Sequence, residues 1–206
     1  MQYQLIKAVL FDFGGVLAEE GFYNGLMAMA REQDLDVEAM PRDAMQAVYD
    51  SGFVVGQGTT ADFWAIMRER TGLKGEDEAL SKRILNGFII RPWMIELVHR
   101  LRAQGYITGI LSDQTHWLDW LNEKDHFYDA FDHIFNSYYL GKGKRDPSLF
   151  TDVAAALALP PSALLFVDDN IENVERARDA GLQAIQYVDR NGFMSEMEKL
   201  GLGNEA

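Results

Sequence analysis

The sequence predicts an α/β protein: a Rossmann-like parallel sheet of about five strands flanked by helices, with an inserted α-helical cap. Three observations predict it. Short apolar runs lack polar alternation, as strands buried on both faces do. Helical patterns sit between those runs, which implies parallel pairing through right-handed crossovers. After the first run comes a long stretch with helical periodicity and no strand signal, far beyond an ordinary connecting loop.

Taken in order, the first strand falls at 6–13, where Ile6, Ala8, Val9 and Leu10 lead to Asp12, and Gly14 and Gly15 follow. Helical patterns then fall at 22–34, 43–51, 60–70 and 76–86, with Thr60 read as the N-cap ahead of Phe63, Ile66 and Met67. This divides the chain into a core of residues 1–17 and 88–206 and a helical cap of residues 18–87. Pro92 opens the next helix, which carries Ile95, Val98 and Leu101 and stops before Gly105. Further strands fall at 106–111, at 133–135 continuing toward 139, at 163–167 and at 183–188. A helix at 146–159 is ended by Pro160 and Pro161, and another opens after Asp169 with Ile171, Val174 and Ala177 on one stripe, stopping at Gly181.

Composition narrows the classes. With 48% hydrophobic and 25% charged residues, the 206-residue chain reads as an ordinary folded protein. A net charge of −13 argues against a basic, phosphate-tracking surface, so no nucleic-acid partner is expected. The absence of cysteine excludes disulfides, thiolate nucleophiles and cysteine-bound metals, and fits a cytoplasmic setting. The N-terminal residues do not read as a signal peptide, and no apolar run approaches a membrane span. The run Trp117, Trp120, Phe127, Tyr128 and Phe131 is either core or a dimer face, so a monomer or a homodimer is expected. The 4 histidines show no metal-ligand spacing; only His116, which follows a strand end, lies near a candidate site.

In an open parallel sheet, ligands bind beyond the carboxyl ends of the strands. Asp12, then Ser112 and Asp113, then Lys144, then Asp168 and Asp169 each follow one strand, so they converge on one rim. A carboxylate there can take up a phosphoryl group as an acyl phosphate. Phosphoryl transfer needs neutralising charge around the moving group. Asp12 with Asp169 suits Mg²⁺, Lys144 neutralises the nucleophile and the phosphoryl oxygens, and Ser112 donates a hydrogen bond. Gly14 and Gly15 let the backbone turn closely around a phosphate.

These motifs, FDFGGVL, ILSD, GKGKRDP and FVDDN, resemble in order and spacing those of the haloacid dehalogenase superfamily, in the branch with a helical cap after the first motif. The resemblance implies a Mg²⁺-dependent phosphatase of a small phosphorylated metabolite, such as a sugar phosphate, acting through an aspartyl-phosphate intermediate. Asp12 is then the nucleophile, with Ser112 and Lys144 binding the phosphoryl group. Asp12, the Gly14 carbonyl and Asp169 hold the metal, with Asp168 and Asn173 in support. Gly15, Asp113, Phe22 and Tyr23 are the expected substrate contacts, the last two either near the substrate or simply core. Two rival readings are a 2-haloacid dehalogenase and a weakened phosphate- or partner-binding protein.

The sequence departs from the family pattern in three places. Gly14 stands where most phosphatases of the family carry an acid that protonates the leaving group. Asp113 stands where an asparagine is common, and Arg145 where a proline usually follows the lysine. Glu19 and Glu20 either replace the missing acid or are solvated loop residues, and Asp113 or a bound water is a further candidate for the base role. Without a replacement, substrates with acidic leaving groups are expected to react best.

Overall fold

The computed structural model describes residues 5–202. Its sheet is parallel throughout, in the order β3-β2-β1-β4-β5. The strands are β1 (Ala8–Phe11), β2 (Ile107–Ser112), β3 (His133–Asn136), β4 (Leu164–Asp168) and β5 (Gln183–Gln186). The central β1 and β4 are wholly buried, which explains their unbroken apolar sequences.

Between β1 and the rest of the sheet lie α1 (Gly21–Glu32), α2 (Met40–Asp50), α3 (Thr60–Thr71) and α4 (Asp77–Leu85). α1 packs on α2 and α4, and α2 on α3. Trp64 and Ser81 are joined there by a buried hydrogen bond, Nε1–H to Oγ, of 2.9 Å. Then come α5 (Pro92–Ala103), α6 (Trp117–Asp125), α7 (Ser137–Leu140), α8 (Ser148–Ala156), α9 (Ile171–Asp179) and α10 (Arg190–Lys199). Among the described residues, no helix is long and apolar enough to cross a membrane.

The segments that enter and leave the α1–α4 insert run side by side. The Arg91 N–H donates to the Leu17 carbonyl and the Glu19 N–H to the Ile89 carbonyl, each at 2.9 Å, and Ala18 bridges Ile90 in antiparallel sense. The Arg91 guanidinium donates to the Gly15 and Val16 carbonyls at 2.6 and 2.7 Å and pairs with Glu19 at 3.0 Å.

Several boundaries differ from the sequence reading. The third strand does not continue toward Tyr139: the Asn136 side chain accepts from the Tyr138 N–H and caps α7. The cap of α3 is Thr59, not Thr60, because Asp62 completes a reciprocal capping box with it. α2 begins earlier than expected, with proline in its first turn, and α8 is shorter at both ends. Periodicity in the sequence does not reveal α6 and α10.

Candidate active site

The chemistry-bearing groups gather at the carboxyl end of the sheet, around β1 and β4, where the strand order reverses. Asp12 immediately follows β1. Its N–H still donates to the Val167 carbonyl at 2.8 Å, so β4 fixes its position after the strand has ended. Asp12 Oδ1 accepts from the Ser112 hydroxyl at 2.6 Å and the Phe13 N–H at 2.7 Å. Oδ2 faces the Lys144 ammonium at 2.9 Å.

Lys144 is only 1% exposed and has a second partner, Asp168 Oδ2, at 2.6 Å. Asp168 is fully buried, and its other oxygen accepts from the Asn170 N–H at 2.8 Å and the Asn173 amide at 3.3 Å. Its hydrogen bonds go to positioning Lys144 and the start of α9. Burial alone depresses the Lys144 ammonium, but Asp12, Asp168 and Asp113 outweigh it and hold its pKa above the ordinary lysine range.

Asp12, Asp168 and Asp169 each place an oxygen within 4.8 Å of the others. Lys144 pairs with the first two; among the described residues, no cationic side chain pairs with Asp169. The set is therefore short of positive charge. Burial, with repulsion from Asp168 and Asp169, pushes the Asp12 carboxyl up against the pull of Lys144. Burial and Asp168 push Asp169 up as well. Hard carboxylate oxygens with a deficit of positive charge fit a divalent cation such as Mg²⁺.

A cavity of about 440 Å³ opens over these groups. Asp12, Gly14, Ser112, Asp113, Lys144 and Asp169 line it from the sheet side. Phe22, Tyr23, Met45, Val48, Phe53 and Phe63 line it from the helical insert. Phe22 and Tyr23 thus face the cavity. Gly15 does not line it and lies against Asp169 instead: φ is +77°, and a Cβ there would meet Asp169 Oδ2 at 2.2 Å. Only glycine gives the Asp169 carboxylate that room. Asp113 accepts from the Lys144 N–H at 2.9 Å and from the Tyr49 hydroxyl at 2.5 Å, which joins α2 to the loop carrying the lysine.

Glu20 lies at the mouth of α1. Its Oε1 accepts from the Phe22 and Tyr23 N–H groups at 2.8 and 3.1 Å, capping the helix. Its Oε2 points toward Gly14, 3.0 Å from where a Cβ on that glycine would stand. Burial pushes its carboxyl up to about 7, with Asp169 adding to the rise and the helix N–H groups opposing it. Glu19 turns away, exposed, to pair with Arg91.

Tyr49, Arg145 and Arg176 also line the cavity, although they are not among the contacts expected from the sequence. Arg145 stacks on the Tyr49 ring, its Cζ 3.8 Å from the centroid. The departure from proline at position 145 is the available signal; nothing in the sequence pairs Tyr49 with it. His116 packs edge-on to Trp120 and Phe53 outside the cavity. Trp117 and Phe127 are core and Trp120 is exposed, so the aromatic run is mostly interior.

The family model for haloacid dehalogenase-like hydrolases matches residues 6–181. A sesquiterpene phosphatase of Aspergillus oryzae is 26% identical over 94% of this chain and 96% of its own. The first curated relatives matched are longer proteins, of which this chain spans 39%. Among solved structures, a Bacteroides thetaiotaomicron enzyme of the family, crystallised with magnesium and inorganic phosphate, superposes with a TM-score of 0.67 at 22% identity over 89% of this chain and 94% of that one. The L-2-haloacid dehalogenase of Xanthobacter autotrophicus, with chloropropionic acid covalently bound, gives 0.66 at 18% identity over 95% and 83%. At these identities the superpositions speak to the fold.

Proposed function

Because the chain belongs to the haloacid dehalogenase-like hydrolases, we propose that it is a Mg²⁺-dependent phosphatase of a small phosphorylated metabolite, with Asp12 as the nucleophile. The observation that carries this reading is the charge pattern of the rim: of three clustered carboxylates one buried ammonium pairs with two, among the described residues no cationic side chain pairs with Asp169, and Asp12 faces an open cavity. A dehalogenase needs no cation, so clustering uncompensated acids beside its nucleophile would only raise that group's pKa.

In this reading the Asp12 carboxylate attacks phosphorus, and the ester oxygen leaves as the acyl phosphate forms. Ser112 and the Phe13 N–H orient the carboxylate, and Lys144 compensates charge on the phosphoryl oxygens. Water then cleaves the acyl phosphate and restores Asp12. Asp12, Asp169 and the Gly14 carbonyl are the proposed holders of Mg²⁺, which when bound supplies the missing positive charge. Asp168 acts through Lys144, and Asn173 through Asp168. The α1–α4 insert serves as a cap, contributing the cavity's aromatic wall and excluding bulk water.

The test is a panel of phosphate monoesters with Mg²⁺ and with chelator, on wild type and Asp12→Asn. Hydrolysis that requires both Mg²⁺ and Asp12 supports the reading. Chloride release from a 2-haloacid without Mg²⁺, and no phosphatase activity, would replace it with the dehalogenase.

A further inference from the structure

Breaking a phosphate ester requires a proton for the departing alkoxide, and hydrolysing the acyl phosphate requires a group to take one from water. The acids lining the cavity are Asp12, Glu20, Asp113, Asp169 and Glu172. Asp12 is the proposed nucleophile and Asp169 belongs to the cation site. Asp113 is held by the Lys144 N–H and the Tyr49 hydroxyl, and Glu172 is paired with Arg176 at 2.9 Å. Glu20 differs from all of these. One oxygen is fixed by two helix N–H groups; the other has no hydrogen-bond partner among the described residues and is aimed at the residue two positions after Asp12.

We infer that Glu20, carried by the start of α1, is the acid–base catalyst of this site, its Oε2 filling the space that a side chain at position 14 would otherwise claim. The inference rests on the phosphatase reading. As the Asp12 oxygen bonds to phosphorus and the P–O ester bond breaks, the Glu20 carboxyl gives its proton to the leaving oxygen. In the second step its carboxylate takes a proton from water as the water oxygen bonds to phosphorus. Phosphate leaves, and both carboxyl groups return to their starting states.

Packing, not backbone conformation, favours glycine at position 14. Gly14 lies outside the left-handed region, so its conformation admits a side chain. Space is tight: a Cβ would meet Glu20 Oε2 at 3.0 Å and Phe88 Cε1 at 3.2 Å, so both neighbours would have to give by a few tenths of an ångström. An acid at 14 and the glutamate at 20 are alternatives for one volume. With Glu20 in the role, the expected preference for acidic leaving groups disappears.

The experiment uses the full chain with Mg²⁺ and two esters, para-nitrophenyl phosphate and propyl phosphate. Glu20→Gln keeps an oxygen to cap α1, so it is expected to melt with wild type. It should lose about a hundred- to ten-thousand-fold in kcat/KM on propyl phosphate. With para-nitrophenyl phosphate it should still give a rapid burst of nitrophenol, then stall with phospho-Asp12 trapped on quenching. Gly14→Asp in a Glu20→Ala background should regain activity on propyl phosphate over Glu20→Ala alone, although the helix cap is gone. The inference is overturned if Glu20→Gln matches wild type on propyl phosphate, if it loses burst and turnover equally on both esters, or if the double variant shows no rescue. A wild-type protein that hydrolyses neither ester, or an Asp12→Asn protein that hydrolyses them, defeats the phosphatase reading itself, and the role of Glu20 falls with it.

Discussion

Replacing Lys144 by methionine keeps much of the side chain's bulk and deletes its charge. Lys144 is 1% exposed and Asp168 is not exposed at all, so the pair at 2.6 Å is shielded from solvent. Removing one partner of such a pair costs about 3–5 kcal/mol, because the other charge stays buried without compensation. That is a large share of the ~5–15 kcal/mol by which domains are stable. With a denaturant slope of about 2 kcal/mol per molar urea, the unfolding midpoint should fall by roughly 2 M. The assay is urea unfolding followed by tryptophan fluorescence, with chelator present so that no bound cation substitutes for the lysine. Lys144→Met with Asp168→Asn should recover part of the loss, since of the two carboxylates orphaned by the lysine's removal the fully buried one is then gone, leaving Asp12, and the introduced amide keeps an oxygen for the Asn170 N–H. A Lys144→Met protein within about 1 kcal/mol of wild type would refute the reasoning, as would a double variant no more stable than the single one.

Gly15→Ala should cost about 1–2 kcal/mol from its φ of +77°. By displacing Asp169 it should also weaken Mg²⁺ binding by about ten- to a hundred-fold, read by titration calorimetry; unchanged affinity would separate Gly15 from the cation site. Ser81→Ala leaves the buried Trp64 N–H without its acceptor and should cost about 1–3 kcal/mol, measured by thermal melting.

Much of the rim is legible in the sequence because each of its residues directly follows an apolar strand or the loop beyond it. Asp12, Ser112 and Asp168 need only the strand ends to be placed, and β1, β2 and β4 are the most strongly patterned segments. The link between Tyr49 and Asp113 is not legible. It spans the docking of the insert onto the sheet, and no local pattern encodes that geometry. Glu20 is visible only as one of two adjacent acids; the turn into α1 separates them, sending Glu19 to Arg91 and Glu20 to the cavity. At Tyr138 and Tyr139, β-propensity suggests a longer strand, and one asparagine side chain overrides it. α10 escapes because its sequence, RNGFMSEMEK, buries only Phe193 and Met197, too few residues for a periodic signal.

The antiparallel bridge between Ala18 and Ile90 has a consequence for how such a protein changes over time. Its two segments lie at strand-pairing distance, so cutting out the chain between them and closing the gap with a two-residue turn would leave the sheet's connectivity intact. Asp12, Ser112, Lys144 and Asp169 would all stay behind. Glu20, Tyr23, Tyr49 and the aromatic wall would all depart together. The fold thus keeps its proposed nucleophile and most of its cavity's aromatic wall in separable parts, and on the proposed reading one recombination event at this joint would exchange the substrate range together with the proposed proton donor.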